Sequence, residues 1–173
     1  KTLFPYTTLF RSQPLANAGR ASRSQGDKVV YFPTCAGRMF GADTPEQALS
    51  ATVIRVLERA GYAPIVPAGV NELCCGQSFA SKGLGDDADR KSAQLEAALM
   101  KASDNGKYPI VLDASACSLR MKTFLAGRLP VFDLVEFAHD ALLPRLMLAK
   151  KTDPVLIHLN CSARRMGFEA KLK

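Results

Sequence analysis

The sequence lacks several features by which common functional classes are recognised. No apolar run approaches the roughly 18 residues that a membrane-spanning helix requires, so no transmembrane segment is expected. No glycine-rich phosphate loop follows the first predicted strand, and no Ser/His/Asp constellation supports nucleophilic catalysis. Cysteine is scarce, with five residues, and nothing resembles a secretory signal. An odd number of scattered cysteines favours a reducing compartment, in which thiols act as ligands or nucleophiles.

The distribution of charge argues against nucleic-acid binding. The 173 residues are 47% apolar and 23% charged, which is typical of one globular domain. The net charge is +7, but residues 1–28 contribute +4 and residues 145–173 contribute +5, so the middle of the chain is slightly acidic. A nucleic-acid surface would instead place a basic face, interleaved with aromatic residues, within the fold. We therefore expect no nucleic-acid partner.

Residues 1–27 lead into no predicted element. The first twelve resemble a translated linker or adapter, and the rest is rich in glycine, alanine, serine and arginine, as disordered leaders are. We interpret residues 1–27 as a disordered leader or a sequence artefact and exclude them from fold reasoning. At the other end the sequence stops within a helical pattern, so we expect a truncation there.

Between these ends, β-branched and aromatic runs alternate with helical patterns. This alternation predicts an α/β fold, in which a mainly parallel sheet has flanking helices and right-handed crossovers. Thr44, Pro45 and Gln47 form the sequence of a capping box before the first long helix, and Asp133 is predicted to cap the last one. The predicted strands are 28–33, 62–67, 108–113, 130–133 and 154–159, and the predicted helices are 45–60, 87–103, 116–126 and 134–143.

Each cysteine follows a predicted strand. Cys35 follows the first, Cys74 and Cys75 follow the second, Cys117 follows the third, and Cys161 follows the strand predicted at 154–159. The carboxyl ends of parallel strands lie along one edge of a sheet, which is where α/β folds bind ligands. We therefore expect all five thiols to converge on one rim.

The chain also contains an internal repeat with an offset of 126 residues. Residues 29–41 and 155–167 both read as a strand followed by Cys-x-x-Arg-x-x-Gly. This pattern predicts a first domain at 28–153 and the start of a second, truncated copy at 154–173. The repeated arginines, Arg38 and Arg164, either offset the charge of a thiolate centre or bond carbonyls at a helix end.

Four thiolates are enough to hold zinc or an iron–sulfur cluster. Helix starts lower the pKa of nearby thiols, Gly76 permits a close backbone approach, and Asp113 either caps a helix or orients ligands. The spacing is neither that of a ferredoxin nor that of a zinc ribbon. From the residues alone, three interpretations stay open: a metal site, a set of free core cysteines, and a strained disulfide between Cys74 and Cys75.

The order of the cysteines resembles the cysteine-rich CCG domain. That domain usually occurs twice in tandem, in heterodisulfide reductase catalytic subunits, in the iron–sulfur subunits of glycolate oxidase and glycerol-3-phosphate dehydrogenase, and in lactate-utilisation proteins. The segments YFPTCAGRMFG, LCCGQSFASKG, VLDASACSLR and IHLNCSARRMG look most like the C-terminal part of FAD-linked, iron–sulfur D-lactate dehydrogenases. The likeness covers residues 28–173.

The resemblance implies a metal centre, namely an iron–sulfur cluster of the 4Fe–4S type, with zinc as the alternative. It implies four ligands and one glycine of the cofactor-binding loop: Cys35, Cys74, Cys75, Cys117 and Gly76. The family pattern ends in Cys-x-x-Cys, whereas this chain reads CSLR, so Arg120 stands where a fifth cysteine is expected. Cys161 matches the first metal-binding cysteine of a second copy.

By the same resemblance, the chain is an electron-transfer segment of a flavin-dependent D-lactate or related 2-hydroxy-acid dehydrogenase. Its partners would be the flavin and ferredoxin-type domains of the same polypeptide or complex, with FAD bound there and a quinone or cytochrome as the eventual acceptor. The implied location is the cytoplasm or the cytoplasmic face of the inner membrane. Two alternatives are a zinc-stabilised protein-interaction module and a thiol–disulfide oxidoreductase that uses Cys74 and Cys75.

Overall fold

A four-stranded parallel sheet forms the centre of the molecule. The computed structural model describes residues 25–39, 44–149 and 153–172, and most of the leader predicted at 1–27 lies outside the described residues. The strands are β1 (Asp27–Phe32), β2 (Tyr62–Ile65), β3 (Ile110–Leu112) and β4 (Val131–Asp133). Their order across the sheet is β2-β1-β3-β4, and every pair is parallel. Four of the predicted strands are thereby confirmed.

Strand β1 is an inner strand of the sheet and is deeply buried. Val30 pairs with Ile65 on one side and with Ile110 on the other, and Ile110 in turn pairs with Val131. The last four residues of β1 are at most 1% exposed. Because successive side chains in a strand point to opposite faces, both faces of the sheet must be covered at this position. The observed architecture confirms the predicted α/β class.

Helices connect the strands and supply the rest of the core. The α-helices within the described residues are α1 (Cys35–Met39), α2 (Leu49–Arg59), α3 (Gln77–Ala80), α4 (Gly85–Ala102), α5 (Ser115–Leu125), α6 (Leu134–Phe137) and α7 (Cys161–Arg165). A π-helical turn (Ala138–Leu142) and a 3-10 turn (Leu143–Arg145) continue α6. The long helices bury Leu57, Leu95 and Met121 against the sheet. None of the described helices combines the length and the apolar character needed to span a bilayer.

The capping box predicted at Thr44 does not form. Pro45–Gln47 is a separate 3-10 turn, and α2 begins only at Leu49. Ala48 has φ −56° and ψ 141°, so the 3-10 turn does not continue into α2, and the Thr44 side chain makes no capping hydrogen bond. At the last predicted helix, by contrast, Asp133 caps α6, and the Glu136 side chain completes a capping box.

The strand predicted at 154–159 is wrong. The segment is irregular in the structure, and Val155 and Leu156 are 80% and 98% exposed. A β-branched, apolar run becomes a strand only where a neighbouring strand pairs its N–H and C=O groups. The edges of the described sheet are β2 and β4, and neither pairs with this segment.

Candidate functional site

Three strand-to-helix connections at the carboxyl edge of the sheet, counted with the first helical turns, carry four of the cysteines. Cys35 is the first residue of α1, which follows β1 after two residues. Cys117 lies in the first turn of α5, which follows β3. Cys74 and Cys75 lie in the loop between β2 and α3. The parallel topology thus brings together thiols that are far apart in the sequence.

The four thiols form one network of contacts. Cys35 interacts with Cys74, Cys74 with Cys75, and Cys75 with Cys117. Cys75 and Cys117 are only 2% and 6% exposed, whereas Cys35 and Cys74 are half-buried. The network therefore has an inner pair, shielded from water, and an outer pair, which solvent or a partner can reach.

The thiols of the network differ in how readily they lose a proton. Hydrogen bonds from Cys35 and Cys75, and from the N–H of Gly76, lower the pKa of the Cys74 thiol. The contact with Cys74, together with burial, raises the pKa of Cys35. Contacts with Cys117 and Cys74, together with burial, raise the pKa of Cys75. The first thiolate of the network therefore forms at Cys74, since its neighbours donate to the sulfur.

Glycine is required after the double cysteine for two reasons. Gly76 has a φ of 82°, in the left-handed region that side chains with a Cβ disfavour. A Cβ at this position would also lie 2.2 Å from the backbone oxygen of Ala88 in α4. The turn is therefore pressed against α4, where the buried Ser92 hydroxyl lies 2.9 Å from the carbonyl oxygen of Cys75. The N–H of Gly76 points back to Cys74 Sγ at 3.4 Å.

A partly buried carboxylate, that of Asp113, supports the turn that carries Cys35. Oδ1 of Asp113 accepts from the backbone N–H of Thr34 at 2.9 Å, and Oδ2 accepts from the Tyr31 hydroxyl at 2.7 Å. A Cβ at Gly37 would lie 2.8 Å from the same carboxylate, so α1 packs closely on it. Burial raises the pKa of Asp113, while the hydrogen bonds from Thr34 and Tyr31 act in the opposite direction. Of the two roles predicted for Asp113, orientation of the cysteine turn is the one that these contacts favour.

The repeated arginines have different environments. Arg38 is buried, and its side chain donates to the Pro33 carbonyl and to the Asn71 side chain, both at 3.2 Å. It thereby ties the Cys35 turn to the loop that leads to the double cysteine. Arg164 is exposed and pairs with Glu169 at 3.3 Å. Bonding to a carbonyl, one of the two roles predicted for this pair, is observed at Arg38.

Arg120 extends from α5 toward α4, not toward a position among the thiols. Its Nε donates to the Ser92 hydroxyl at 3.2 Å, and its guanidinium also pairs with the exposed carboxylate of Asp89. The sequence does not single out Ser92 or Asp89. The one available signal is a small polar residue, Ser92, in the buried stripe that Leu95 and Leu99 continue along α4.

The donor chemistry of the network suits a soft or borderline metal, although the thiols are not arranged as a ligand set. No three His, Cys, Asp or Glu side chains in the described part of the chain are placed so that they could hold a metal ion. The thiols instead contact one another, and cysteines must lose their protons before they bind a metal. Four sulfur donors from three separate loops nevertheless match the ligands of iron–sulfur and zinc centres. The residues present therefore fit a thiolate-bound centre that assembles as protons leave.

Comparison with known protein families gives one match. The model of the cysteine-rich domain, CCG, matches residues 29–122, which is more than half of the chain and includes the whole thiol network. The chain belongs to the CCG family. No curated protein and no solved structure matched it. Membership indicates a metal-binding or redox role for the CCG domain, and the finer likeness to D-lactate dehydrogenases stays a prediction.

Cys161 lies beyond the residues matched to the CCG family. It is exposed and is the first residue of α7, which packs against α5. None of the contacts described for Cys161 joins it to the thiol network. The structure thus brings four of the five predicted cysteines together and leaves Cys161 apart from them.

The repeat in the sequence is nevertheless also a repeat in local structure. The Thr34 side chain accepts from the N–H of Gly37 at 3.2 Å, and the Asn160 side chain accepts from the N–H of Ala163 at 2.9 Å. In both turns, the carbonyl before the cysteine accepts from the N–H of the repeated arginine, at 3.1 Å and 3.0 Å. The two Cys-x-x-Arg segments therefore form the same capped turn.

Proposed function

We propose that this CCG domain binds an iron–sulfur centre through Cys35, Cys74, Cys75 and Cys117 and serves in electron transfer. The observation that carries this proposal is the single network formed by four thiols from three loops. Cysteine sulfurs are the usual ligands of such clusters, and zinc is the alternative occupant. When bound, an iron–sulfur centre supplies reversible one-electron chemistry.

The residues of the network would contribute to metal binding in different ways. Cys74 carries the first negative charge on the half-buried side of the network, so an incoming cation would meet that charge first. The N–H of Gly76, 3.4 Å from Cys74 Sγ, stabilises the thiolate. Burial of Cys75 and Cys117 excludes water from the inner side. The arrangement suits a centre that one partner reaches through the outer pair of thiols.

The proposed domain organisation follows the repeat. Residues 28–153 would form the first CCG domain, and residues 154–173 would begin a second copy. The support is the identical capped turn at Cys35 and Cys161. In this proposal, the exposed residues 155–157 would find their strand partners in the second copy, and Cys161 would be a ligand there.

The wider enzyme context rests on the resemblance stated from the sequence. In that context, oxidation of D-lactate or a related 2-hydroxy acid would deliver two electrons to FAD in a separate domain. This chain and the ferredoxin-type domain would pass them on one at a time toward a quinone or cytochrome. The setting would be the cytoplasm or the cytoplasmic face of the inner membrane. The chain alone is expected to oxidise no D-lactate, and turnover without added flavoprotein would contradict this assignment.

Anaerobic purification followed by metal and sulfide analysis tests the proposal. Iron with matching sulfide and broad absorption at about 400 nm would support the cluster. Zinc without colour would support a zinc-stabilised interaction module instead. A chain that takes up neither metal after reconstitution under reducing conditions would overturn both metal proposals.

A thiol–disulfide oxidoreductase is the second candidate, and the properties of Cys74 favour it. Its thiolate is stabilised and half-exposed, as an attacking thiol must be. Cys74 would attack a substrate disulfide and release one thiolate, and Cys75 would then displace the second as a vicinal disulfide forms. Two electrons would thus pass from the cysteine pair to the substrate. A metal-free chain in which Cys74 is alkylated rapidly at neutral pH would support this candidate over the first.

A further inference from the structure

The double cysteine and Cys117 are connected by a second route besides their thiols. Arg120 lies one helical turn beyond Cys117 on α5, and its Nε donates to the hydroxyl of Ser92 on α4 at 3.2 Å. The Ser92 hydroxyl is fully buried and lies 2.9 Å from the Cys75 carbonyl oxygen and 3.0 Å from that of Ala88. A path of polar contacts therefore runs from α5 through α4 to the backbone of Cys75.

The double-cysteine turn takes its position from α4. The Gly76 backbone is so close to the Ala88 carbonyl that no Cβ fits between them, and the Cys75 carbonyl lies against Ser92 one helical turn later. Cys117, by contrast, is carried by α5. The placement of Cys75 against Cys117 therefore depends on how α4 and α5 are held relative to each other at this level.

Three contacts fix the Arg120 side chain in this position. Besides the Ser92 bond, the guanidinium pairs with Asp89 on α4 and lies over the Phe124 ring, 5.8 Å from its centroid. The side chain is only 20% exposed. A planar guanidinium presents several donors in one rigid fork, so it can bond Ser92 and Asp89 together, whereas a lysine ammonium is a single point of charge.

We propose that Arg120 is a positioning residue of the cysteine site, which holds Cys75 against Cys117 through Ser92. This inference rests on the proposed function only in that the four thiols act as one site. Arg120 holds no ligand position itself. Its contribution is to fix the position of the double-cysteine turn relative to α5, so that the inner thiol pair stays shielded from water.

Arg128 provides a matched control on the same pair of elements. It follows α5, donates to Glu96 on α4 at 2.8 Å, and lies over the same Phe124 ring at 5.7 Å. Its side chain does not contact the cysteine turn through Ser92. The substitutions Arg120→Ala and Arg128→Ala therefore each remove one ion pair and one ring contact. Arg128→Ala also removes a hydrogen bond to the Phe124 carbonyl at 3.3 Å, but only Arg120→Ala removes the link to Cys75.

The test measures the rate of Cys75 alkylation in the reduced, metal-free chain by mass spectrometry of its peptides. We expect Arg120→Ala to raise that rate about tenfold, because loss of a buried hydrogen bond favours local opening, and we expect Arg128→Ala to leave it within about twofold. Arg120→Lys should restore little of the protection. Equal rates for the Arg120→Ala and Arg128→Ala variants would overturn the proposal.

A second substitution, Ser92→Ala, keeps the test decisive. Ser92→Ala breaks the same link with a smaller change in side-chain volume, so it serves as the test variant if Arg120→Ala does not fold. It should raise the rate of Cys75 alkylation as Arg120→Ala is expected to do. A normal rate in a folded Ser92→Ala chain would also overturn the proposal. Because the alkylation readout needs no metal, failure of the wild-type chain to bind iron or zinc would count against the proposed function alone.

Discussion

The hydroxyl of Tyr31 donates a hydrogen bond to Oδ2 of Asp113, with 2.7 Å between the two oxygen atoms. Tyr31 is fully buried in the inner strand β1, and Asp113 directly follows β3. The carboxylate also accepts from the N–H of Thr34, the residue before Cys35. The pair therefore joins two strand ends at the point where the chain turns to the thiols, and the geometry of the cysteine site depends on a partly buried polar contact behind it.

Removing the Tyr31 hydroxyl should destabilise the protein without disturbing the packing of its ring. We expect Tyr31→Phe to lower the free energy of unfolding by roughly 1–3 kcal/mol, because a partly buried carboxylate oxygen loses its donor. Tyr108→Phe is the matched control, since among the described residues the Tyr108 hydroxyl bonds Lys28 alone, at 3.4 Å and in an exposed position. The control should cost less than about 0.5 kcal/mol. Urea unfolding of both variants checks the prediction, and equal losses would contradict it.

The partly buried carboxyl of Asp113 should also give a characteristic pH dependence. Burial raises its pKa in the folded state, whereas the unfolded value is about 3.9. The folded protein then binds the proton more tightly, so the stabilising effect of this group is complete below the unfolded pKa. That effect is lost as the pH rises through the folded pKa. The stability of the wild type relative to Asp113→Asn should therefore decrease as the pH rises from about 4.

Asp140 should give the opposite slope and is a control for the pH measurement. It is exposed, and bonds from Lys171 and His139 lower the pKa of its carboxyl. Its contribution is present above the unfolded pKa and is lost as the pH falls. The stability of the wild type relative to Asp140→Asn should thus increase with pH over the acidic range. Unfolding measured at a series of pH values compares the two variants, and slopes of the same sign would refute the assignment for Asp113.

Much of the fold could be predicted from the sequence, because the relevant information is local. The apolar runs of β1 and β3 and the Asp133 cap of α6 correspond to observed elements. The strand predicted at 154–159 failed, since pairing with a neighbour decides whether such a run becomes a strand. The capping box predicted at Thr44 failed because the non-helical backbone of Ala48 separates the Pro45–Gln47 turn from α2.

The site was only partly predictable, because its supporting contacts join residues that are far apart in the sequence. Strand ends placed Cys35, Cys75 and Cys117 on one edge, as parallel topology requires. The supporting contacts of Ser92 and Arg120 depend on how two helices lie side by side, and no local pattern in the sequence records that.

The tight turn after the double cysteine gives a prediction with an internal standard. Gly76 and Gly83 have nearly the same φ, 82° and 79°, but a Cβ at Gly83 would meet no atom within 4 Å. Gly83→Ala should therefore cost only the left-handed strain, about 1–2 kcal/mol. Gly76→Ala should cost roughly 1–3 kcal/mol more, because the Ala88 carbonyl has to move. Thermal and urea unfolding measure the difference, and equal costs would show that the turn does not press on α4.

Binding of a metal centre by the four-thiol network is tested by the iron content of two variants, each with one cysteine replaced by serine, after anaerobic reconstitution with ferrous iron and sulfide. Cys75 belongs to the buried thiol network, whereas Cys161 is exposed and lies outside it. We expect Cys75→Ser to lose bound iron and the accompanying visible absorption, and Cys161→Ser to retain the full wild-type iron content. Full, stoichiometric iron in folded Cys75→Ser would contradict the claim that the four-thiol network is the binding site.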